Sequence, residues 1–169
     1  MKTVKDNILL IGMPGSGKST IGKLLSSMTG MEFVDGDELI EQAEGLKLQE
    51  IIDLKGLDYF SMLEEKILCE LDIKGHIISP GGSAVYYPRA MEHLKEISTV
   101  VYLFTDVETL LSHIKNIDSR GIAFKPGQTF RDLYEERCPL YEKYADLIVV
   151  AGHSQPKSLA KKIIRQLGL

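Results

Sequence analysis

A glycine-rich octapeptide, Gly12-Met13-Pro14-Gly15-Ser16-Gly17-Lys18-Ser19, lies between an apolar run and an amphipathic stretch, and that order leaves few folds open. It fits the pattern G-x-x-x-x-G-K-[ST] throughout. The run before it, Asn7 to Gly12, reads as a strand. The stretch after it sets Ile21, Leu24, Leu25 and Met28 at i, i+3, i+4 and i+7, the apolar stripe of a helix. Between a strand and a helix N-terminus, the glycines let successive backbone N–H groups turn inward on an anion. The helix end adds partial positive charge at the same point. Lys18 can then reach β- and γ-phosphates, and the Ser19 hydroxyl can ligate Mg²⁺. Gly12, Gly15, Ser16, Gly17, Lys18, Ser19 and Thr20 are therefore expected to hold a nucleoside triphosphate, with ATP as the expected one. A glycine-rich turn with an incidental Lys-Ser is the alternative, and the flanking strand and helix argue against it.

Four further short apolar runs follow: Glu32 to Asp35, His76 to Ser79, Thr99 to Phe104 and Leu147 to Val150. They are near-continuous rather than alternating, as expected of strands buried on both faces of a parallel sheet. Helical stripes fill the gaps: Phe60, Leu63, Ile67 and Leu71; Val107, Leu110, Leu111 and Ile114; and Leu159, Ile163 and Leu167 after Pro156. Thr105-Asp106-Val107-Glu108 has the form of a capping box. Strands alternating with helices predict right-handed βαβ units in a three-layer α/β/α fold with five parallel strands. At 169 residues the chain has the length of one domain, 1–169. One segment, Lys115 to Gln128, has Gly121, Pro126 and Gly127 and no period. A loop of that length in a compact domain is functional or simply a surface connection.

Charge narrows the partners. Lys+Arg is 20 and Asp+Glu is 24, a net charge of −4, which disfavours a general nucleic-acid binder. A small anionic ligand remains open, because local fields decide its binding. No segment reaches the roughly 20 apolar residues of a membrane-spanning helix. The N-terminal residues do not form a signal-peptide pattern. Cys69 and Cys138 give neither a disulfide framework nor metal-ligand spacing. A cytoplasmic protein, monomeric or weakly self-associating, is expected.

Asp35-Gly36-Asp37 closes the second predicted strand, and open α/β sheets bind ligands beyond the carboxyl ends of their strands. One carboxylate can hold Mg²⁺ through water while the other accepts the proton of an attacking hydroxyl. The alternative is that Asp37 caps a helix beginning at Glu38.

With these pieces the chain resembles the shikimate kinase family over nearly its whole length. The matching segments are Gly12 to Thr20, Asp35-Gly36-Asp37, Glu41 to Gly45, Gly56-Leu57-Asp58-Tyr59-Phe60 with Glu64-Glu65, Pro80-Gly81-Gly82-Ser83, Arg120, and Arg137-Cys138-Pro139-Leu140-Tyr141 with Ala145-Asp146. Asp-Gly-Asp is shared with gluconate and adenylylsulfate kinases, whose later segments differ. The resemblance implies a P-loop kinase fold with strand order 2-3-1-4-5 and a mobile lid at about 115–128. It implies Asp35 and Ser19 at Mg²⁺, Asp37 at the acceptor hydroxyl, and Arg120 on the ATP phosphates. It also implies Arg137 at the acceptor carboxylate and Gly81 and Gly82 behind the acceptor. Lys18, Asp37 and Arg120 are then the catalytic set. His113 aligns with a residue that packs on adenine in many members.

The chain departs from the family pattern at several points. Ser61 stands where the family carries a second Arg for the acceptor carboxylate, Pro80 replaces a glycine, and Arg120 is followed by Gly121. A hydrogen bond to a charged group contributes about 1.5–3 kcal/mol. Its loss weakens carboxylate binding by about tenfold to more than a hundredfold. Ser61, with Tyr59, Tyr86, Tyr87 and Arg89 nearby in sequence, therefore predicts an altered acceptor, a small polyhydroxylated or amino-acid-like alcohol. Two alternatives stand beside it. One is a shikimate kinase whose second cation has moved to Lys55 or Arg89. The other is a nucleotide-binding regulatory module without phosphotransfer.

Overall fold

The computed structural model describes residues 4–114, 122 and 124–169. Five parallel strands form one sheet in the order β2-β3-β1-β4-β5. They are β1 (Asn7–Ile11), β2 (Glu32–Asp35), β3 (His76–Ser79), β4 (Ser98–Phe104) and β5 (Leu147–Val150). The helices are α1 (Lys18–Thr29), α2 (Gly36–Glu44), α3 (Leu48–Lys55), α4 (Leu57–Cys69), α5 (Pro88–Ile97), α6 (Val107–His113), α7 (Phe130–Tyr144) and α8 (Pro156–Leu167). A 3₁₀ turn covers Gly82–Tyr86.

Central β1 shows why the apolar runs are continuous. Leu9 and Ile11 join a core with residues of α4, α5, α6 and α7, whereas Ile8 and Leu10 join one with α1 and α8. Each fully buried Leu or Ile contributes about 1.5–3 kcal/mol of transfer free energy. Both faces must therefore be apolar, and the sheet becomes the middle of three layers. A smaller core of Ile40, Leu48, Ile51 and Phe60 ties α2, α3 and α4 together beside β2. At the β5 edge the expectation of burial on both faces fails. Val149 is buried against α8, but Ile148 and Val150 are exposed.

Two local expectations are corrected. Asp106, not Thr105, caps α6: its carboxylate accepts from the Thr109 N–H at 3.0 Å and from the Thr109 hydroxyl at 2.7 Å. Thr105 is buried, and its hydroxyl has no partner among the described residues. The α4 stripe ends at Cys69, so Leu71 lies beyond the helix. The sequence reading also missed a helix over 130–144, because Pro139 removes an N–H and reads as a breaker. The helix persists because Phe130, Leu133, Arg137, Tyr141 and Tyr144 bury one face and Thr129 closes a capping box with Asp132.

The strand order decides where the chemistry gathers. β2, β3 and β1 are neighbours, so their carboxyl ends place Asp35, the Pro80-Gly81-Gly82 run and the loop 12–19 side by side. Gly36 permits that approach, since a Cβ there would stand 2.9 Å from Pro80 Cα.

Candidate active site

A cavity of about 510 Å³ opens at this end of the sheet. Pro14, Gly15, Gly17, Lys18, Ser19 and Thr20 line one part of it, and Asp35, Asp37, Gly81, Gly82 and Arg137 line another. Its volume is ordinary for a small-molecule site.

The nucleotide side is built from the loop between β1 and α1. Gly17 caps α1 at φ +89°, a conformation that costs glycine little. Lys18 Nζ donates to Gly12 O at 2.8 Å and to Met13 O at 3.0 Å, which holds the ammonium inside the loop. Burial lowers its pKa to about 8, opposed by the charge of Asp37. Ser16 is buried behind the loop, and its hydroxyl has no partner among the described residues. His113, in the last turn of α6, lies with Nδ1 3.3 Å from Gly15 O and lines the cavity. The expected Arg120 contact lies outside the described residues.

Beside the loop, the Ser19 hydroxyl donates to Asp35 Oδ2 at 3.2 Å. The other carboxylate oxygen of Asp35 accepts the Asp37 N–H at 2.9 Å. Asp35 is thus the cap of α2, and the alternative that gave this task to Asp37 is set aside. A hydroxyl and a carboxylate on the cavity wall are hard oxygen donors of the kind Mg²⁺ takes, and Mg²⁺ fills its remaining positions with water and phosphate. Among the described residues no cluster of three or more His, Cys, Asp or Glu side chains is placed to hold a metal alone.

Asp37 is freed from capping and faces the cavity. Burial, and then Asp35, push its carboxyl up to about 6, against the pull of Lys18. A carboxylate with that pKa is ionised at neutral pH yet basic enough to take a proton in a reaction.

Arg137 reaches the far wall from α7 and is 1% exposed. Its Nε donates to the Tyr86 hydroxyl at 3.3 Å, and its guanidinium lies 5.1 Å from the centre of the Tyr86 ring. Its Nη2 is buried with no hydrogen-bond partner among the described residues. A buried guanidinium with an unused donor on a cavity wall is equipped to take a carboxylate. Gly82 makes room for it, because a Cβ there would meet Arg137 Nη1 at 2.8 Å.

The other residues singled out from the sequence separate into two groups. Ser61 lies near Tyr87 and is not among the cavity-lining residues. Tyr87 donates to Glu64 at 2.9 Å. Tyr59 donates to Glu44, and Lys55 pairs with that carboxylate at 2.5 Å and sits over the Tyr59 ring, which takes both away from the cavity. Arg89 is exposed in the first turn of α5. Neither proposed replacement cation lines the pocket. Sequence reasoning missed Glu64 as a member of the site. The available signal was a carboxylate on the apolar stripe of α4, one turn after Phe60.

A mononucleotide cradle on the central strand, with carboxylates on a strand two places away, is the anatomy of a P-loop kinase. The shikimate kinase family model matches residues 14–168. Among relatives, the shikimate kinase of Histophilus somni (strain 2336) is 38% identical over 164 residues, covering 95% of this chain and 94% of that protein. The structure of shikimate kinase from Acinetobacter baumannii in complex with shikimate superposes with a TM-score of 0.87 at 32% identity, covering 98% of this chain and 93% of the other. That of shikimate kinase from Aquifex aeolicus gives 0.83 at 34% identity, with 96% of each chain covered. The chain belongs to the shikimate kinase family. It is a phosphotransferase with an alcohol group as acceptor.

Proposed function

We propose that this kinase transfers the γ-phosphoryl group of MgATP to a hydroxyl of a small carboxylate-bearing metabolite held by one guanidinium instead of two. The observation that carries this reading is Arg137: buried, on the cavity wall, with Nη2 unpaired among the described residues, while Ser61 is not among the residues that line the cavity. In this reading Asp37 orients the acceptor hydroxyl and takes its proton. The acceptor oxygen forms its bond to phosphorus as the bond from phosphorus to the ADP oxygen breaks. Lys18 and the amides of the loop balance the charge on the transferring group. Mg²⁺, held by Ser19 and Asp35, would neutralise charge on the β- and γ-phosphate oxygens. Arg120 supplies a further cation to the phosphates in this reading. The reaction consumes two small molecules and needs no membrane; among the described residues no helix is long and apolar enough to cross one.

Ser61→Arg tests the acceptor assignment. Restoring a second guanidinium is expected to lower the KM for shikimate by about tenfold to a hundredfold, at about 1.5–3 kcal/mol for a charge-assisted hydrogen bond. Steady-state kinetics with shikimate on both proteins reads this directly. Efficient turnover of shikimate by the unmodified chain, with no gain in the variant, would overturn the altered acceptor pocket.

Gly82→Ala probes the same wall. The added methyl collides with Arg137 and crowds the Tyr141 hydroxyl at 3.1 Å. The Tyr141 hydroxyl donates to Gly82 O at 2.7 Å, which limits how far the backbone can retreat. The acceptor KM is expected to rise by about tenfold, equivalent to one weakened charged hydrogen bond, with a smaller change in the KM for ATP. An equal rise in both would place the damage in the nucleotide loop.

A further inference from the structure

Glu64 has no step in the scheme above, yet it is built into the acceptor wall. It is 1% exposed, and both its carboxylate oxygens take the Ser83 hydroxyl, at 2.9 and 2.6 Å. The Tyr87 hydroxyl donates to it from the start of α5. Among the described residues no Lys, Arg or His forms an ion pair with it. A buried carboxylate held only by neutral hydroxyls is costly, and the usual outcome is protonation.

Its position relative to Arg137 gives this a consequence. A Cβ on Gly81 would lie 3.0 Å from Glu64 Oε1 and 2.9 Å from Asp37 Oδ1, and one on Gly82 would lie 2.8 Å from Arg137 Nη1. The carboxylate and the guanidinium therefore flank one glycine pair. The groups facing Glu64 are Ser83 and Tyr87, Asp37 from α2 and Arg137 from α7. Burial pushes its carboxyl up to about 7; Asp37 adds to the rise, while Ser83, Tyr87 and Arg137 oppose it. An acceptor carboxylate on Arg137 brings a further negative charge and offsets the one nearby cation among the described residues that favours ionised Glu64. Like charges in a desolvated pocket raise each other's pKa. Hydroxyls can donate to a carboxylate or accept from a carboxyl, so the same bonds serve either state.

We propose that Glu64 is a positioning residue that couples acceptor charge to a proton: a carboxylate acceptor seats on Arg137 as Glu64 becomes protonated. The coupling rests on the assignment of Arg137 to the acceptor carboxylate. The sign follows from linkage. Below the pKa of free Glu64 the proton is already present and affinity is at its highest. As pH rises through it, the proton must be taken up on binding and affinity falls.

The test is isothermal titration calorimetry of the whole chain with shikimate as the probe carboxylate, from pH 6 to 9, in buffers of different ionisation enthalpy. Expected are about one proton taken up per shikimate at pH 8 and a Kd that weakens by up to about tenfold per pH unit above 7. In Glu64→Gln the uptake disappears and the pH profile flattens. In Ser61→Arg, which supplies Glu64 with a cation and serves if the Gln variant folds poorly, uptake also disappears while affinity rises. Shikimate binding without proton uptake in the unmodified chain, or uptake that persists in Glu64→Gln, overturns the coupling and leaves the Arg137 assignment standing. Absence of shikimate binding even at pH 6, in protein that binds ATP, overturns that assignment and the coupling with it.

Discussion

Asp37→Asn is expected to lower kcat by roughly 10²–10⁴-fold, the range that a positioned general base contributes. The substitution keeps the shape of the side chain and removes its ability to take a proton. Its other effects should be small. The Asp37 N–H still donates to Asp35, so the α2 cap survives. The loss of one negative charge in the first turn of α2 costs about 0.3–1 kcal/mol. ATP affinity should stay near that of the unmodified chain, because the interaction of Asp37 with the nucleotide loop is the charge it shares with Lys18. The residual pH profile is a second readout. In the unmodified chain activity is expected to rise as Asp37 ionises, through about pH 6. That acid limb should vanish in the asparagine variant. Near-normal turnover would remove Asp37 as the base.

Lys18→Met is expected to lower kcat/KM for ATP by roughly 10²–10³-fold, the effect of removing one preorganised donor from developing charge. Methionine keeps an apolar stem of similar length, so packing is largely preserved. Two carbonyls, Gly12 O and Met13 O, lose their donor, which should cost stability by about 1 kcal/mol in a thermal melt. Lys18 also opposes the upward push on Asp37. Its loss should move the acid limb of the pH–rate profile to higher pH. A variant with weakened catalysis and an unmoved acid limb would show that the two side chains do not communicate.

Much of the scaffold was legible because parallel strands buried on both faces write themselves as continuous apolar runs. The read runs match β1 to β5, with differences only at Gly12 and Ser98. The helices were less legible where charge or proline interrupted the stripe. α3 and α5 are short, and α7 carries Pro139 in its interior. β5 misled because a sheet edge exposes alternate residues whatever the run looks like.

The site divides in the same way. The loop 12–19, the acidic pair and the glycine run follow strands directly, so their meeting point is fixed by strand order. Arg137 was found through resemblance, and only packing explains why it is buried and half-unpaired. Ser61 was singled out by its departure from the resemblance, but its place outside the cavity lining was not readable. Helix α4 carries it at a position that does not line the cavity. Glu64 was quoted only as part of a matching segment. Its importance comes from a carboxylate and a guanidinium meeting across Gly81 and Gly82, which lie 17 to 56 residues away from them in sequence.

The most direct test of a MgATP phosphotransferase with a single-guanidinium acceptor site is ADP release from MgATP with and without small hydroxy acids, shikimate among them. Release is expected to rise well above the acceptor-free rate with at least one carboxylate-bearing alcohol, and Arg137→Ala is expected to abolish that rise while ATP still binds. Tight ATP binding with no acceptor raising ADP release would contradict phosphotransfer, and a rise that survives Arg137→Ala would contradict the acceptor site.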